Sequence, residues 1–189
     1  MDLPRKIRYR AYADWSKEER ETINKNVKQS PWHASYHIEP KTGLLNDPNG
    51  FSFFNGKYTL FYQNWPFGAA HGLKEWVHTE SDDLVHFYET GTELRPDTKR
   101  DSHGAYSGSA YEIDGKLFLF YTGNVRDENW VRYPFQIGAW MDKDYNITKC
   151  ENVLIHQAND VTDHFRDPQL FNYKGQFYAI LGAQNLNES

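Results

Sequence analysis

The pattern of apolar and polar positions divides the chain into two parts. In residues 1–30, Ser16 and Glu19 have the spacing of a capping box, and the polar stretch that follows to about Lys28 is compatible with a helix. From Trp32 onward, short runs rich in Tyr, Phe, Val and Trp are separated by Gly, Asn and Asp, which is typical of strands and turns. The pattern predicts one short helix in an N-terminal extension, residues 1–30, followed by an all-β region, residues 31–189.

The strand pattern of the all-β region occurs three times. Two strand-like runs flank a turn ending in Gly56, in Gly115 and in Gly175, within FSFFNGKYTLFYQN, SGSAYEIDGKLFLFYTGN and RDPQLFNYKGQFYAILGAQN. The repeat is about 60 residues long, which is room for four strands, and weaker strand candidates follow the first two hairpins (WVHTES with VHFYET, and QIGAWMD with ITKCENV). The repeat predicts two complete blades of a β-propeller and about half of a third. Because an incomplete ring leaves strand edges uncovered, we expect a truncated part of a longer protein or a chain that self-associates.

Each repeat places a polar residue near the start of its first strand. Asp47, Ser107 and Asp167 lie eight or nine residues before the three hairpin glycines. For Asp47 alone, an ordinary turn is an alternative, since an Asp in an Asp-Pro-Asn-Gly segment often bonds only its own backbone. If the first strands are innermost in their blades, however, their starts meet at one end of the central channel, where a pocket would form. Three polar residues at equivalent corners favour a site there.

Composition and charge exclude several classes of function. The net charge is −5 and no long run of Lys or Arg occurs, which argues against nucleic acid and anionic membranes as partners. A single cysteine, Cys150, excludes an internal disulfide framework, and the charged N-terminal residues do not resemble a secretory signal, so a cytoplasmic location is expected. His33 and His37 lie in an extended segment between prolines, and the other histidines are scattered. We therefore expect no metal and no cofactor.

Two carboxylates that face one pocket are suited to glycoside chemistry, in which one attacks the sugar and a second group protonates the leaving oxygen. Asp47 and Asp167 are the candidate pair. Arg166, next to Asp167, would help to keep that carboxyl ionised, which argues against Asp167 as the proton donor. It favours a role for Asp167 in holding sugar hydroxyls and stabilising positive charge at the ring. A surface position for Arg166 is the alternative.

Six segments carry a resemblance to a known family. In order, WHASYHIEPKTGLLNDPNG, FYQNWPFG, YSGSA, FYTGN, HFRDPQLF and LGAQN resemble the N-terminal part of glycoside hydrolase family 32, the invertase, fructanase and sucrose-6-phosphate hydrolase family. The resemblance runs from about Trp32 to the end, and NDPNG, SGS and FRDP are specific when they occur together. HGLK and YTGNVRDENWVRY are most similar to the bacterial sucrose-6-phosphate hydrolases of this family. The resemblance implies a five-bladed β-propeller with the site at the mouth of its channel.

The resemblance also implies roles for individual residues. Asp47 would be the nucleophile that forms a covalent intermediate with a β-fructofuranosyl group, while Asp167, assisted by Arg166, would hold fructosyl hydroxyls and stabilise the oxocarbenium-like transition state. Further positions that would contact the fructosyl ring are Asn46, Gln63, Trp65, Tyr106 and Ser107. Configuration would be retained, with the two catalytic carboxyls about 5 to 5.5 Å apart.

The sequence departs from the family pattern at two places. The acid/base Glu of the family lies in a Glu-Cys-Pro-like motif downstream of FRDP, and no such motif occurs before Ser189. We therefore expect the 189-residue chain to be inactive or nearly so by itself. Glu75-Trp76-Val77-His78 stands where relatives more often have His-Trp-Gly-His, which puts the sugar contacts of that segment in doubt.

The expected reaction is hydrolysis of sucrose 6-phosphate to glucose 6-phosphate and fructose. A phosphate needs cationic or N–H partners, and the candidates are His71, Lys74, Arg126 and Arg132, for each of which a solvated surface position is the simpler interpretation. Two alternatives stay open: an invertase acting on sucrose or short fructans, and a non-catalytic glycan-binding propeller.

Overall fold

The computed structural model describes residues 3–187, so residues 1, 2, 188 and 189 of the predicted ranges 1–30 and 31–189 lie outside the described residues. Within the described part, the chain is mostly β-sheet and its few helical turns precede the first strand. These are α1 (Arg5–Arg8), a 3-10 helix (Tyr12–Asp14) and α2 (Lys17–Lys28). The predicted helix is α2, whereas α1 and the 3-10 helix are too short to give a periodic signal.

The start of α2 has the predicted capping box. The Ser16 hydroxyl accepts a hydrogen bond from the Glu19 backbone N–H at 3.2 Å, and the Glu19 carboxylate accepts one from the Ser16 N–H at 2.8 Å. Two backbone donors that have no partner inside the helix are thereby satisfied. Glu19 also forms an ion pair with Arg10 at 2.7 Å, which links α2 to the segment before it.

The described strands form two multi-stranded sheets and a hairpin, all antiparallel. The first sheet has the order β1-β2-β3-β4, the second has β5-β6-β7-β8 with β9 also paired to β7, and β10 pairs with β11. The bounds are β1 Leu44–Phe54, β2 Lys57–Trp65, β3 Glu75–Ser81, β4 Phe87–Leu94, β5 Ala105–Ile113, β6 Lys116–Arg126, β7 Arg132–Met141, β8 Ile147–Lys149, β9 Ile155–His156, β10 Val161–Tyr173 and β11 Gln176–Asn185. The all-β class is confirmed, and the sequence pattern missed β9.

The three predicted hairpin turns join β1 to β2, β5 to β6 and β10 to β11. Both central residues of each turn have left-handed φ angles: 52° and 80° at Asn55-Gly56, 51° and 75° at Asp114-Gly115, and 52° and 82° at Lys174-Gly175. Two positive φ angles are the signature of a type I′ turn, whose twist matches that of the flanking strands. The turns set the register, so that Phe54 pairs with Lys57 in the first hairpin.

The main hydrophobic core lies between the two sheets. The first sheet contributes Phe61 and Trp76, the second contributes Leu119 and Tyr121, and all four side chains are fully buried. A second cluster joins the N-terminal segment to the end of the first sheet, where the Trp15 ring stacks on Phe67 with centroids 4.1 Å apart. The N-terminal segment is therefore packed against the sheet that contributes to the site.

Hydrogen bonds hold the first strands of the three units side by side. The Asn49 side chain on β1 accepts from the Gly108 N–H on β5 at 2.9 Å. On β5, the Ser109 hydroxyl donates to the Pro168 carbonyl and accepts from the Leu170 N–H on β10, both at 2.9 Å. These contacts bring the polar residues of the three repeats to one place.

Candidate active site

A β-bulge positions each of the three repeated polar residues. Asp47 lies in a register shift of β1, Ser107 in one of β5 and Asp167 in one of β10. A bulge adds a residue to one strand and redirects a side chain away from the regular alternation. The sequence analysis placed these residues at strand starts and missed the bulges, although Pro48 and Pro168 are a signal, since a proline that cannot donate to the ladder is found at bulges.

A chain of hydrogen bonds ends on the carboxylate of Asp47. The Lys74 ammonium donates to the Gln63 amide oxygen at 3.1 Å, the Gln63 amide N–H donates to the Ser107 hydroxyl at 3.0 Å, and that hydroxyl donates to Asp47 Oδ2 at 2.7 Å. Each of the three bonds joins a donor to an acceptor, so together they orient the Asp47 carboxylate. The carboxylate is thus directed across to β5 instead of closing its own turn.

A cavity of about 360 Å³ surrounds this carboxylate. Nine of the twelve predicted site residues line it: Asp47, Gln63, His71, Lys74, Tyr106, Ser107, Arg132, Arg166 and Asp167. Residues 120 positions apart in the chain therefore meet in one polar cavity, within the size range of small-molecule sites.

Asp167 is influenced by burial more than by its neighbouring arginine. The Arg166 Nε and Asp167 Oδ2 atoms are 3.6 Å apart, and Arg166 acts to lower the pKa of the carboxyl, as predicted. Burial is the largest effect, however, and with the nearby Asp47 it raises the pKa of Asp167 above 3.8. Arg166 thus favours the ionised form of Asp167, and the larger effect of burial acts against it.

The cationic side of the cavity is partly desolvated. Burial lowers the pKa of Lys74, with Arg166 acting in the same direction and Asp47 opposing it. Burial also lowers the pKa of His71, followed by the effect of Lys74. An anion bound in the cavity would favour the protonated forms of Lys74 and His71 and so raise both pKa values.

Arg132 lines the cavity and has two guanidinium nitrogens without a hydrogen-bond acceptor among the described residues. Its side chain is 15% exposed, and its Nε and Nη1 atoms are buried with no hydrogen-bond acceptor among the described residues. The nearest carboxylate oxygen, on Asp163, is 3.8 Å from Nε. Arg132 lines the cavity, so its guanidinium adds positive charge there, which favours an anionic ligand.

The structure does not bring three of the predicted residues to the cavity. Trp65 is fully buried in the second hydrophobic cluster, with its ring directly behind Gly72. Arg126 donates to the Trp130 carbonyl at 2.8 Å and lies over the Trp130 ring. The Asn46 side chain is partly buried, and its oxygen has no partner among residues 3–187.

The unusual segment at the start of β3 is divided between two faces of its sheet. The Trp76 indole donates to the Tyr106 carbonyl at 3.1 Å and so supports a residue that lines the cavity. Glu75 lines a separate cavity with Arg95 and Glu93. The Glu75 side chain is not among those that line the cavity around Asp47.

Tyr9 and Gly72 also line the cavity, and neither was predicted from the sequence. Tyr9 belongs to the N-terminal segment, about 40 residues before the first strand motif, and no pattern in the sequence connects it to the site. In the described part of the chain, no group of three or more His, Cys, Asp or Glu side chains could hold a metal ion. None of its helices has the length and apolar character needed to cross a membrane.

Comparison with known proteins identifies the family. Residues 37–189 match the family described as the glycosyl hydrolases family 32 N-terminal domain. The chain belongs to glycosyl hydrolase family 32. The match includes all three bulged strands and begins after the N-terminal segment that contributes Tyr9.

Curated members of family 32 resemble the whole chain. It is 75% identical over 188 residues to a sucrose-6-phosphate hydrolase of Streptococcus mutans and 55% identical over 186 residues to one of Lactococcus lactis, covering 39% of each. The chain thus spans about two fifths of the length of these relatives, of which it corresponds to the N-terminal part.

Solved structures of family 32 agree with the fold. The sucrose-6-phosphate hydrolase of Lactobacillus gasseri superimposes with a TM-score of 0.94 at 49% identity, over 98% of this chain and 38% of that one. A Bombyx mori β-fructofuranosidase in complex with sucrose has a TM-score of 0.76 at 32% identity, over 88% of this chain and 36% of that one.

Proposed function

We propose that this chain is the nucleophile-bearing part of a retaining β-fructofuranosidase that hydrolyses sucrose 6-phosphate to glucose 6-phosphate and fructose. The observation that carries the proposal is the Asp47 carboxylate, held by Ser107 at 2.7 Å in a polar cavity that also contains the Arg166 and Asp167 pair. Similarity to sucrose-6-phosphate hydrolases over the whole chain supports this substrate.

The same proposal covers the architecture. The two sheets and the hairpin would be the first two and a half blades of a five-bladed β-propeller, with residues 31–189 as part of that domain and residues 1–30 as an extension. Exposed apolar side chains on β1 and β11, such as Phe51, Phe53 and Ile180, would then face neighbouring blades or a second copy of the chain. A cytoplasmic location fits a phosphorylated sugar as substrate.

The geometry suggests how the cavity would act. Asp47 would attack the anomeric carbon of the fructosyl unit, and the bond to the glucosyl oxygen would break as that oxygen receives a proton. Asp167 and Arg166 would bind fructosyl hydroxyls and stabilise the charge that develops on the ring. Asp47 and Asp167 are the carboxylates among the lining residues, so the proton donor would be a further group outside this part of the chain.

The phosphate would be bound on the cationic side of the cavity. Arg132, Lys74 and His71 line this side and supply its positive charge and N–H donors. Arg126, whose guanidinium is engaged with Trp130, would act less directly. Because the Bombyx mori relative was solved with sucrose, an invertase that acts on the unphosphorylated sugar is the second candidate.

The test compares kcat/KM for sucrose 6-phosphate and sucrose in the longest natural protein that contains this chain. Asp47→Asn removes the nucleophile, whereas the matched variant Asp114→Asn makes the same chemical change at a hairpin tip where Asn tolerates the left-handed φ of 51°. We expect a higher kcat/KM for the phosphorylated sugar than for sucrose. Asp47→Asn should abolish activity, whereas Asp114→Asn should keep the wild-type activity. Equal or better cleavage of sucrose would support the invertase. If neither sugar is cut, the hydrolase proposal fails.

A further inference from the structure

We propose that the N-terminal segment is part of the substrate site and that Tyr9 is a specificity-determining residue that contacts the leaving glucosyl unit. The proposal rests on the function proposed above. It concerns residues that precede the family 32 match, which begins at residue 37.

The first step is that the segment is anchored next to the cavity. The Leu73 N–H donates to the Arg8 carbonyl at 2.7 Å, the Arg8 guanidinium donates to the His71 carbonyl at 3.1 Å, and the Tyr12 hydroxyl donates to the Leu73 carbonyl at 2.8 Å. A methyl group on Gly72 would lie 2.6 Å from the Arg8 carbonyl oxygen, so only glycine permits this approach. The segment is therefore fixed to the β2–β3 loop, which contributes His71 and Lys74 to the cavity.

The second step is that the Tyr9 ring is held rigidly at the cavity. Its edge packs on Trp130 with centroids 4.9 Å apart at 82°, and it also contacts His103 at 5.9 Å. Arg5 covers Trp130, with its guanidinium carbon 4.1 Å from the ring centroid. Burial, followed by the neighbouring Tyr106 hydroxyl, raises the pKa of Tyr9. Such a ring offers a preorganised, partly apolar surface to a ligand at little entropic cost.

The third step is the position of Tyr9 relative to the carboxylates. A fructosyl unit under attack must contact Asp47 and, in the proposed mechanism, Asp167, which lie on the first strands of their units. The ring of Tyr9 contacts His103, before β5, and Trp130, in the β6–β7 turn, while its hydroxyl lies beside that of Tyr106 on β5. Tyr9 thus lines the same cavity from the side of the N-terminal segment and the β2–β3 loop. With the fructosyl unit next to Asp47 and Asp167, the glucosyl group and its phosphate would lie on the side of the cavity that Tyr9 lines.

The experiment varies the leaving group while the fructosyl unit stays the same. In the longest natural protein that contains this chain, kcat and KM are measured for sucrose 6-phosphate, sucrose and methyl β-fructofuranoside, whose methanol leaving group lacks the glucosyl unit. For Tyr9→Ala we expect kcat/KM for sucrose 6-phosphate to fall by about 10-fold or more, mainly through KM, while that for the methyl glycoside changes by less than about 2-fold. Tyr9→Phe, which keeps the ring, should stay close to wild type.

Tyr173→Ala is the matched control, because Tyr173 is exposed next to the β10–β11 turn and does not line this cavity. It should leave unchanged the ratio of kcat/KM for sucrose 6-phosphate to kcat/KM for methyl β-fructofuranoside. If circular dichroism shows that the alanine variant is unfolded, Tyr9→Leu replaces it. The same ratio of kcat/KM values then tests the proposal. Equal losses on all three substrates, or no loss, would overturn the inference while leaving the hydrolase intact. A wild-type protein that cuts none of them would overturn both proposals.

Discussion

Glu75 gives a quantitative test of how burial acts on this fold. Its side chain is 6% exposed, and Oε2 has no hydrogen-bond partner among the described residues, although Arg95 Nε lies 3.4 Å away. Burial raises the pKa of Glu75 to about 8; Arg95 opposes this effect, and Glu93 adds to it. The carboxyl is therefore largely protonated in the folded protein at neutral pH.

The sign and size of the pH effect follow from linkage. In the unfolded chain Glu75 titrates near 4.5, so between pH 4.5 and 8 the folded state binds more protons than the unfolded state. Glu75 thus contributes stability that is fully present below pH 4.5 and is lost as the pH rises through 8. At about 1.36 kcal/mol per pH unit, the total is about 5 kcal/mol, of which about 3 kcal/mol is lost between pH 5.5 and 8.5.

The perturbation is Glu75→Gln, which keeps the shape and removes the titration. Urea unfolding is followed by tryptophan fluorescence, to which the buried neighbour Trp76 contributes, at pH 5.5, 7.0 and 8.5. The free energy of unfolding of the wild type relative to the variant should fall by about 3 kcal/mol across this range. The difference between the urea midpoints of the wild type and of Glu75→Gln should then change by about 1 M or more between pH 5.5 and 8.5.

Glu112→Gln is the matched control, since it makes the same chemical change at an exposed position on β5. A difference between wild type and Glu75→Gln that stays constant within about 0.5 kcal/mol from pH 5.5 to 8.5 would refute the reasoning. The carboxyl would then be as well solvated in the folded state as in the unfolded chain.

Three further predictions concern the site and its support. Lys74→Ala should raise KM for sucrose 6-phosphate by about 10-fold and KM for sucrose much less, because a phosphate gains more from the ammonium group; steady-state kinetics that show equal effects would remove Lys74 from phosphate binding. The chain alone should show no turnover of sucrose 6-phosphate above its Asp47→Asn variant, whereas a chimera that continues with the remaining part of the Streptococcus mutans relative should be active; activity of the chain alone would contradict the missing proton donor. Ser109→Ala should lower the free energy of unfolding by about 1 to 3 kcal/mol, because it leaves the Pro168 carbonyl and the Leu170 N–H without their partner, and an unchanged urea midpoint would show that water replaces the hydroxyl.

The sequence by itself determined the local features. The turns at Asn55-Gly56 and Asp114-Gly115 need residues that tolerate left-handed φ, and the Ser16 capping box needs hydrogen bonds only between near neighbours, so both could be predicted from a few adjacent residues. The repeat also predicted contacts between distant residues, because equivalent positions in repeated units occupy equivalent places in the fold. It brought Asp47, Ser107 and Asp167 together as candidates before any contact was known.

Only the tertiary structure decided how side chains are shared between the cavity and the core. Trp65 is buried behind Gly72, Glu75 lies on the other face of its strand, and Tyr9 enters the cavity from the N-terminal segment. Each outcome depends on contacts between residues that are distant in sequence or on a bulge that redirects one side chain. Local propensity contains no information about such contacts, since they arise only when separate elements compete for the same space as the chain packs.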